Sequence, residues 1–146
     1  MSDTIFDDII AAFKTVLQQS PAVCTVVETD DVDEVPEDVA QAVHVELDNA
    51  NPQQLGGIQG NPVEWEVRVR VGLYVRKSGA SGRPDLGVLL AAVYARLAAN
   101  ANLGLGDRVF LGEPTVDWSA ARLAQRLNEC DLYYPVRCRT GGLTLA

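Results

Sequence analysis

The chain has 146 residues, of which 47% are apolar and 22% charged, the composition of one soluble globular domain with its own core. Twelve Lys and Arg against 20 Asp and Glu leave a formal net charge of −8, which argues against sequence-independent binding to DNA or RNA. No stretch approaches the roughly 20 apolar residues of a membrane span, and the acidic amino terminus lacks the basic opening of a secretory signal.

The first predicted element is an amphipathic helix over residues 4–19, where apolar side chains recur at three- and four-residue spacing. Asp3 or Thr4 can cap its start, because both side chains accept hydrogen bonds from free backbone amides. Pro21 ends it, since the residue before a proline avoids the helical region.

Four segments of contrasting composition follow this helix. Residues 22–27 are rich in β-branched side chains and predict a short strand. Residues 28–38 are strongly acidic and predict an exposed connection, and 39–47 alternate as a second strand. Residues 48–61 are rich in Asn, Gln, Gly and Pro without periodicity, so we expect a flexible loop.

The most informative segment is the strictly alternating run 61–77, which predicts one long strand with an apolar face and a charged face. From Val63 to Val75 it would span roughly 44 Å, about twice the common strand length. We therefore expect it to bend near Gly72 or to project beyond the domain. The apolar face carries Val63, Trp65, Val67, Val69, Val71, Leu73 and Val75, and the other carries Glu64, Glu66, Arg68, Arg70, Gly72, Tyr74 and Arg76.

A second amphipathic helix is predicted over residues 84–99, with proline at a favourable first position. Residues 108–118 resemble a strand interrupted at Gly112 and Pro114, which is typical of an edge or bulged strand. Residues 119–127 have moderate helical character, and a simple turn is the alternative.

The last predicted strand, 128–140, alternates again, and the tail 141–146 is expected to be loose. Its inward side chains are Cys130, Leu132, Tyr134, Val136 and Cys138, and its outward ones are Tyr133, Arg137 and Arg139. With no repeat and no second domain, the sequence predicts a single α+β domain. It would have one mostly antiparallel sheet of about four to five strands against two main helices.

The sequence shows no catalytic arrangement. The single histidine, His44, would need a partner and a nucleophile within reach. Cys24 lies among apolar residues and is interpreted as an inert core thiol. Cys130 and Cys138 are eight residues apart on one strand, roughly 27 Å, too far for a disulfide. All three are expected to be reduced, buried and cytoplasmic.

No metal or cofactor site is predicted either. The acidic run 28–38 lacks the glycine and the final glutamate of a calcium-binding EF-hand loop. No Cys-x-x-Cys and no second histidine are present for zinc. Gly104 and Gly106 lack the third glycine of a dinucleotide-binding loop and follow a helix instead of a strand. The chain is therefore predicted not to be an enzyme.

The order of these elements, with the strand Trp65-Glu-Val-Arg-Val-Arg-Val-Gly-Leu-Tyr-Val-Arg76 before a Leu/Ala-rich helix, resembles a known family. The closing pattern is Val116-Asp-Trp118 followed by Leu132-Tyr-Tyr-Pro-Val-Arg-Cys-Arg-Thr140. The layout of nearly the whole chain is similar to the tail terminator (tail completion) proteins of long-tailed bacteriophages and prophages. It includes no diagnostic motif.

That resemblance implies a structural virion protein, assembled in the bacterial cytoplasm, that forms a hexameric ring on the head-proximal end of the tail tube. The ring would stop tube polymerisation and join the head. Its partners would be other copies of this chain, the tail tube protein and the head–tail connector or neck proteins. DNA would pass through the channel without specific binding.

Two sets of residues are candidates for these contacts. Glu64, Glu66, Arg68 and Arg70 would pair with a neighbouring subunit in a head-to-tail ring, although cross-strand pairing inside one subunit explains the same stripe. Gln53, Gln54, Arg76, Lys77 and Arg83 are candidates for contacting the tube or the neck. A head-completion or neck protein, a tail-tube subunit and a small-ligand binding module remain alternatives.

Overall fold

The computed structural model describes residues 4–24, 26–28, 40–53, 62–76, 83–118, 128–141 and 144–146. These residues form two α-helices, six β-strands and a short 3-10 turn. In chain order the elements are α1 Ile5–Gln18, β1 Val26–Glu28, β2 Gln41–Pro52, β3 Val63–Val75, α2 Arg83–Ala98, the 3-10 turn Gly106–Arg108, β4 Val109–Leu111, β5 Thr115–Asp117 and β6 Asn128–Thr140.

The first helix begins at a reciprocal cap. The Thr4 hydroxyl accepts from the Asp7 amide at 3.2 Å, and the Asp7 carboxylate accepts from the Thr4 amide at 3.3 Å. Two of the amides that a helix start leaves unpaired are thereby satisfied. Thr4 is thus the cap, and α1 ends at Gln18, close to the predicted boundary.

The six strands lie in one sheet with the order β1-β2-β3-β6-β4, and β5 pairs with β6 beside β4. Only the β1–β2 pair is parallel, and the other four pairs are antiparallel. Both helices pack on one face of this sheet, where their apolar side chains share a core with the inward residues of the strands. The predicted α+β fold is confirmed, although the sheet has six strands where the sequence predicted about four to five.

The long strand β3 lies inside the sheet along its whole length. It pairs with β6 from Val63–Thr140 to Val75–Asn128, and with β2 from Trp65 onward. The pairing continues without a break through Gly72, so the strand does not project from the sheet as the sequence suggested. A methyl group at Gly72 would lie 2.9 Å from the Tyr74 hydroxyl oxygen, so glycine leaves room for the Tyr74 ring.

Strand β2 corrects one prediction. The sequence predicts a flexible loop over 48–61, but β2 continues to Pro52, with Ala50 opposite Val67. The register shifts between Leu47 and Asn49, and such a bulge breaks the alternation without ending the pairing. The alternating pattern therefore ends before the strand does. Residues 54–61 lie outside the described part.

Two further predictions concern segments that the structure describes incompletely. Residues 119–127, for which the sequence indicates a helix or only a turn, and most of the acidic connection 28–38 lie outside the described residues. The tail 141–146 was expected to be loose, yet the Ile5 amide donates to the Leu145 carbonyl at 2.6 Å. This hydrogen bond ties the end of the tail to the start of α1.

The two helices are also joined to each other by Arg96. Its guanidinium, near the end of α2, donates to the carbonyls of Val16 at 3.0 Å and Gln19 at 2.8 Å, and to that of Pro21. The last carbonyls of a helix have few backbone partners, and a cation is favourable there. Arg96 therefore fixes α1 against α2 and supports the covered face of the sheet.

Candidate assembly surface

The face of the sheet opposite the helices is its outer face, and it carries the charged side chains of β3. Neighbours on this face come from β2 on one side and β6 on the other. Three zones follow one another along the strands: a buried ionic cluster, a polar groove and a basic margin.

The buried ionic cluster is centred on Arg70, whose side chain is only 17% exposed. Its Nη1 lies 3.2 Å from a Glu46 carboxylate oxygen, and its Nη2 lies 3.1 Å from Glu129 and 2.9 Å from Asp131. Nη2 also donates to the Tyr74 hydroxyl at 3.1 Å. Three carboxylates from two neighbouring strands thus converge on one guanidinium, which holds β2, β3 and β6 in register.

Two aromatic rings complete this cluster. His44 is buried, and its ring lies 5.0 Å from the Tyr74 ring. Burial raises the pKa of Tyr74, although Arg70 opposes the shift, so the phenol stays protonated at neutral pH. Burial would lower the pKa of Arg70, but its contacts with Tyr74 and Asp131 raise it overall. The cluster is a fixed structural unit in which Arg70 keeps its charge.

The middle zone is an open polar groove of about 470 Å³ next to Arg68. Arg68 lies 3.2 Å from the Asp48 carboxylate of β2, and its guanidinium carbon lies 4.3 Å from the centre of the Tyr133 ring. Asn49, Asn51 and Glu66 line the same groove. This zone is suited to polar contacts with a partner, because Arg68 remains half exposed.

The basic margin lies where β4 meets the end of β6, and we call it the arginine edge: Arg108, Arg137, Arg139 and the ring of Phe110. Phe110 is 61% exposed. A groove of about 240 Å³ lies between these side chains, and Glu64 and Asp107 also line it. Among the described residues, none of the three arginines forms an ion pair.

The predicted interface residues thus divide into two pairs. Arg68 and Arg70 form ion pairs with β2 or β6 of their own subunit, so the cross-strand alternative describes both of them. Glu64 and Glu66 lie opposite Arg139 and Arg137 in register, but form no ion pair within the described residues. Both glutamates therefore remain candidates for pairing with a neighbour.

Two of the predicted contact-loop residues, Gln53 and Arg76, lie at opposite ends of the sheet. The Gln53 amide donates to the Glu64 carbonyl at 2.8 Å, whereas the Arg76 amide donates to the Ala40 carbonyl at the other end of β3. Glu64 and Arg76 are separated by roughly 40 Å of strand. Gln54 and Lys77 lie outside the described residues, and Arg83 is the first residue of α2.

The thiols are poorly suited to nucleophilic chemistry. Burial raises the pKa of Cys130 to about 11, and the charges of Asp131 and Asp117 act in the same direction. Burial also raises the pKa of Cys138 to about 11, against a smaller opposing effect of Arg108. A thiol is nucleophilic only as the thiolate, so both are unreactive at neutral pH. Cys24 is half-buried against the core.

Within the described ranges, no three His, Cys, Asp or Glu side chains are grouped as metal ligands would be. The same part of the chain contains no helix long and apolar enough to cross a membrane.

Sequence reasoning missed two features of this surface. The strand pattern assigned Arg70 and Tyr74 to a solvent-facing stripe, whereas both are mostly buried. It also left Phe110 without a role. The alternation of buried Val109, exposed Phe110 and half-buried Leu111 along β4 was the signal available for it.

No family profile and no curated protein matches the sequence. Among solved structures, the chain is similar to a chain of the virion of the native gene transfer agent (GTA) particle, with a TM-score of 0.52 and 15% identity. The match covers 90% of this chain and 95% of that chain. The two share a fold over nearly their whole lengths.

A more distant likeness is to a chain of the PVC extracellular contractile injection system, described as its sheath/tube terminator in the extended state. The TM-score is 0.42 and the identity 11%, over 99% of this chain and 60% of that chain. This chain therefore spans less than two thirds of that protein, and the likeness is too weak to carry an argument.

Proposed function

We propose that this protein is a structural component of a phage-tail-like particle. It forms a ring on the head-proximal end of the tail tube, ends tube polymerisation and provides the surface that the head or neck joins. The observation that carries the proposal is the outer face of the sheet, where Arg68 is half exposed and Glu64 and Glu66 form no ion pair among the described residues. The fold shared with a chain of the GTA virion supports it at the level of fold.

The ring is built by head-to-tail contacts between identical subunits. Such a contact joins two different surfaces of one protein and closes when its rotation divides a full turn, here into six subunits. Glu64 and Glu66 lie on the outer face with no ion pair among the described residues, and they are available to a neighbour.

The two ends of the long strands serve different partners. The two partners are the tail tube and the connector or neck protein. The end with Gln53 and Gln54 contacts one of these partners, and the end with Arg76, Lys77 and Arg83 contacts the other. A capping ring needs two such opposed surfaces, because it stacks between two assemblies.

The acidity of the subunit fits a channel for DNA. A net charge of −8 per subunit repels phosphate, so DNA passes without binding. The proposed role is assembly without catalysis, in the virion at the head end of the tail. The protonated thiols Cys130 and Cys138 agree with that role.

The proposal is tested on polymerising tail tubes. Purified protein is added in increasing molar ratio to the cognate tube protein, and tube lengths are measured by electron microscopy with a gold label on this chain. We expect shorter tubes at higher ratios and the label at one end of each tube. Label along the tubes, or lengths independent of the ratio, would contradict the proposal.

A further inference from the structure

The arginine edge is a cationic surface on a strongly acidic protein. Arg108, Arg137 and Arg139 are three of only 12 cationic residues in a chain with 20 acidic ones. All three are exposed and form no ion pair in the described part of their own subunit. Glu64 and Asp107 line the same groove without pairing with them, so the cations are available to a ligand.

The chemistry of this edge is that of a protein-binding site. Arginine and aromatic residues are enriched among the residues that dominate binding energy at interfaces. Phe110 is 61% exposed and lies beside the arginines, so a partner would bury an apolar ring between cations. A guanidinium binds a carboxylate through two parallel hydrogen bonds, which gives the contact direction as well as strength.

The same chain contains a segment that complements this site. Seven of the eleven residues 28–38 are Asp or Glu, and Val32 and Val35 lie between them. The segment begins at Glu28, the last residue of β1, which forms the margin of the sheet opposite β4. The arginine edge and the start of the acidic segment thus lie at opposite margins of one sheet, and a contact between two different parts of the same chain is a head-to-tail contact.

We propose that the arginine edge binds the acidic segment 28–38 of the next copy of this chain. The carboxylates pair with Arg108, Arg137 and Arg139, and the valines cover the ring of Phe110. The inference rests on the proposed ring. It names a contact between neighbouring subunits in addition to the one proposed for Glu64 and Glu66.

A peptide tests this contact without any need for a preformed ring. A fluorescein-labelled peptide of residues 28–38 is titrated with the full chain in 50 mM salt, and its anisotropy is measured. We expect saturable binding that weakens at least about tenfold in 500 mM salt, because screening acts strongly on exposed charges. We expect a similar loss in the double variant Arg137→Glu/Arg139→Glu and a smaller one in Phe110→Ala.

Three controls define the outcome. Each single variant, R137E and R139E, is compared with Lys14→Glu, which makes the same change of charge on α1 and should bind normally. Circular dichroism checks that each variant folds. A peptide with Asn and Gln in place of Asp and Glu should not bind. No binding of the acidic peptide, or equal binding by the double variant, would overturn the proposal.

Exchange of charges tests the contact between whole subunits. One variant carries Arg137→Glu/Arg139→Glu, and a second carries Asp30→Lys/Asp31→Lys/Asp33→Lys. Each should associate poorly with itself, because like charges then face each other. An equimolar mixture should restore the wild-type assembly, because native and reversed charge pairs then alternate around the ring. A mixture that does not recover would contradict the proposal.

Nucleic acid is the alternative ligand for three exposed arginines. If a 20-nucleotide single-stranded DNA binds more tightly than the peptide and depends on the same arginines, the site binds phosphate and the proposal is overturned.

The experiments distinguish an error in the proposed contact from an error in the proposed function. If the double variant caps tubes as well as the wild type, the contact is wrong and the function stands. If the peptide binds but no tube is capped, the contact stands and the function is wrong.

Discussion

Arg70 on β3 and Asp131 on β6 form an ion pair with 2.9 Å between Nη2 and Oδ1, in the least exposed part of the outer face. Glu46 and Glu129 meet the same guanidinium. Removing one partner of a buried ionic group leaves the others without compensation, which costs more than losing the contact itself. This geometry makes Arg70 a stabilising residue of the sheet.

Replacing Arg70 with Met should lower the free energy of unfolding by about 3 kcal/mol, because three carboxylates lose their cation in a largely buried site. Urea unfolding followed by circular dichroism measures the change. The matched control is Arg68→Met, two residues along the same strand, whose pair with Asp48 is half exposed. That change should cost less than about 1 kcal/mol. Equal losses at the two positions would contradict the structural role of Arg70.

Tyr134 gives the opposite expectation. Its side chain is 2% exposed, and its hydroxyl has no hydrogen-bond partner among the described residues. Since an unpaired buried hydroxyl opposes folding, Tyr134→Phe should leave stability unchanged or raise it by about 1 kcal/mol. The control is Tyr94→Phe, which removes an exposed hydroxyl that donates to Glu113 at 2.8 Å. A clear loss of stability in Tyr134→Phe would mean that the hydroxyl is paired in solution.

The raised pKa values of Cys130 and Cys138 predict both reactivity and pH dependence. With pKa values of about 11, neither thiol should react with iodoacetamide in the native protein at pH 8, whereas half-buried Cys24 should react first. Mass spectrometry of peptides measures the order of labelling. Native labelling of Cys130 or Cys138 at a rate similar to that of Cys24 would contradict the structure.

The same shifts fix the sign of a stability change at high pH. Unfolded thiols lose their protons near pH 8.5 and the folded ones near pH 11, so the folded state holds more protons between these values. The stabilising contribution is therefore complete below about pH 8.5 and declines as the pH rises to about 11. The double variant Cys130→Ala/Cys138→Ala should show a shallower decline. If stability declines equally steeply with pH in the wild type and the double variant, the thiols do not contribute to the decline.

The end of the sheet near Gln53 should be needed for attachment to tail tubes but not for ring formation. Deleting residues 54–60 leaves residues 61–63 between Gln53 and Glu64, whose backbones are already hydrogen bonded, and three residues suffice for a hairpin. We expect normal subunit assembly but no attachment to tail tubes, measured by co-sedimentation. Undiminished attachment would show that this end does not contact the tube.

The sequence predicted most of the fold, because alternation with a period of two is a strong signal. β6 has the predicted boundaries, and β3 is two residues shorter at each end than the predicted strand 61–77. Each inward residue of β6 from Cys130 to Cys138 is buried. The extension of β2 to Pro52 was missed, since a bulge destroys the alternation while the partner strand keeps the pairing.

The candidate site was less accessible to sequence reasoning. Alternation divides side chains into two faces but does not say how much of each face is buried, so Arg70 and Arg68 look alike in sequence. The arginine edge depends on β4 lying beside the end of β6, a pairing of Phe110 with Arg137 that no local pattern encodes.

The central claim is most directly tested by the absolute mass of the protein in solution. Light scattering coupled to size exclusion would be run over a concentration series, with and without tail tubes. A ring of six subunits of 15.7 kDa has a mass of about 94 kDa. The account predicts this mass for the free protein, or a monomer that becomes a ring on tube ends. A protein that stays monomeric at every concentration and does not bind tail tubes would contradict it.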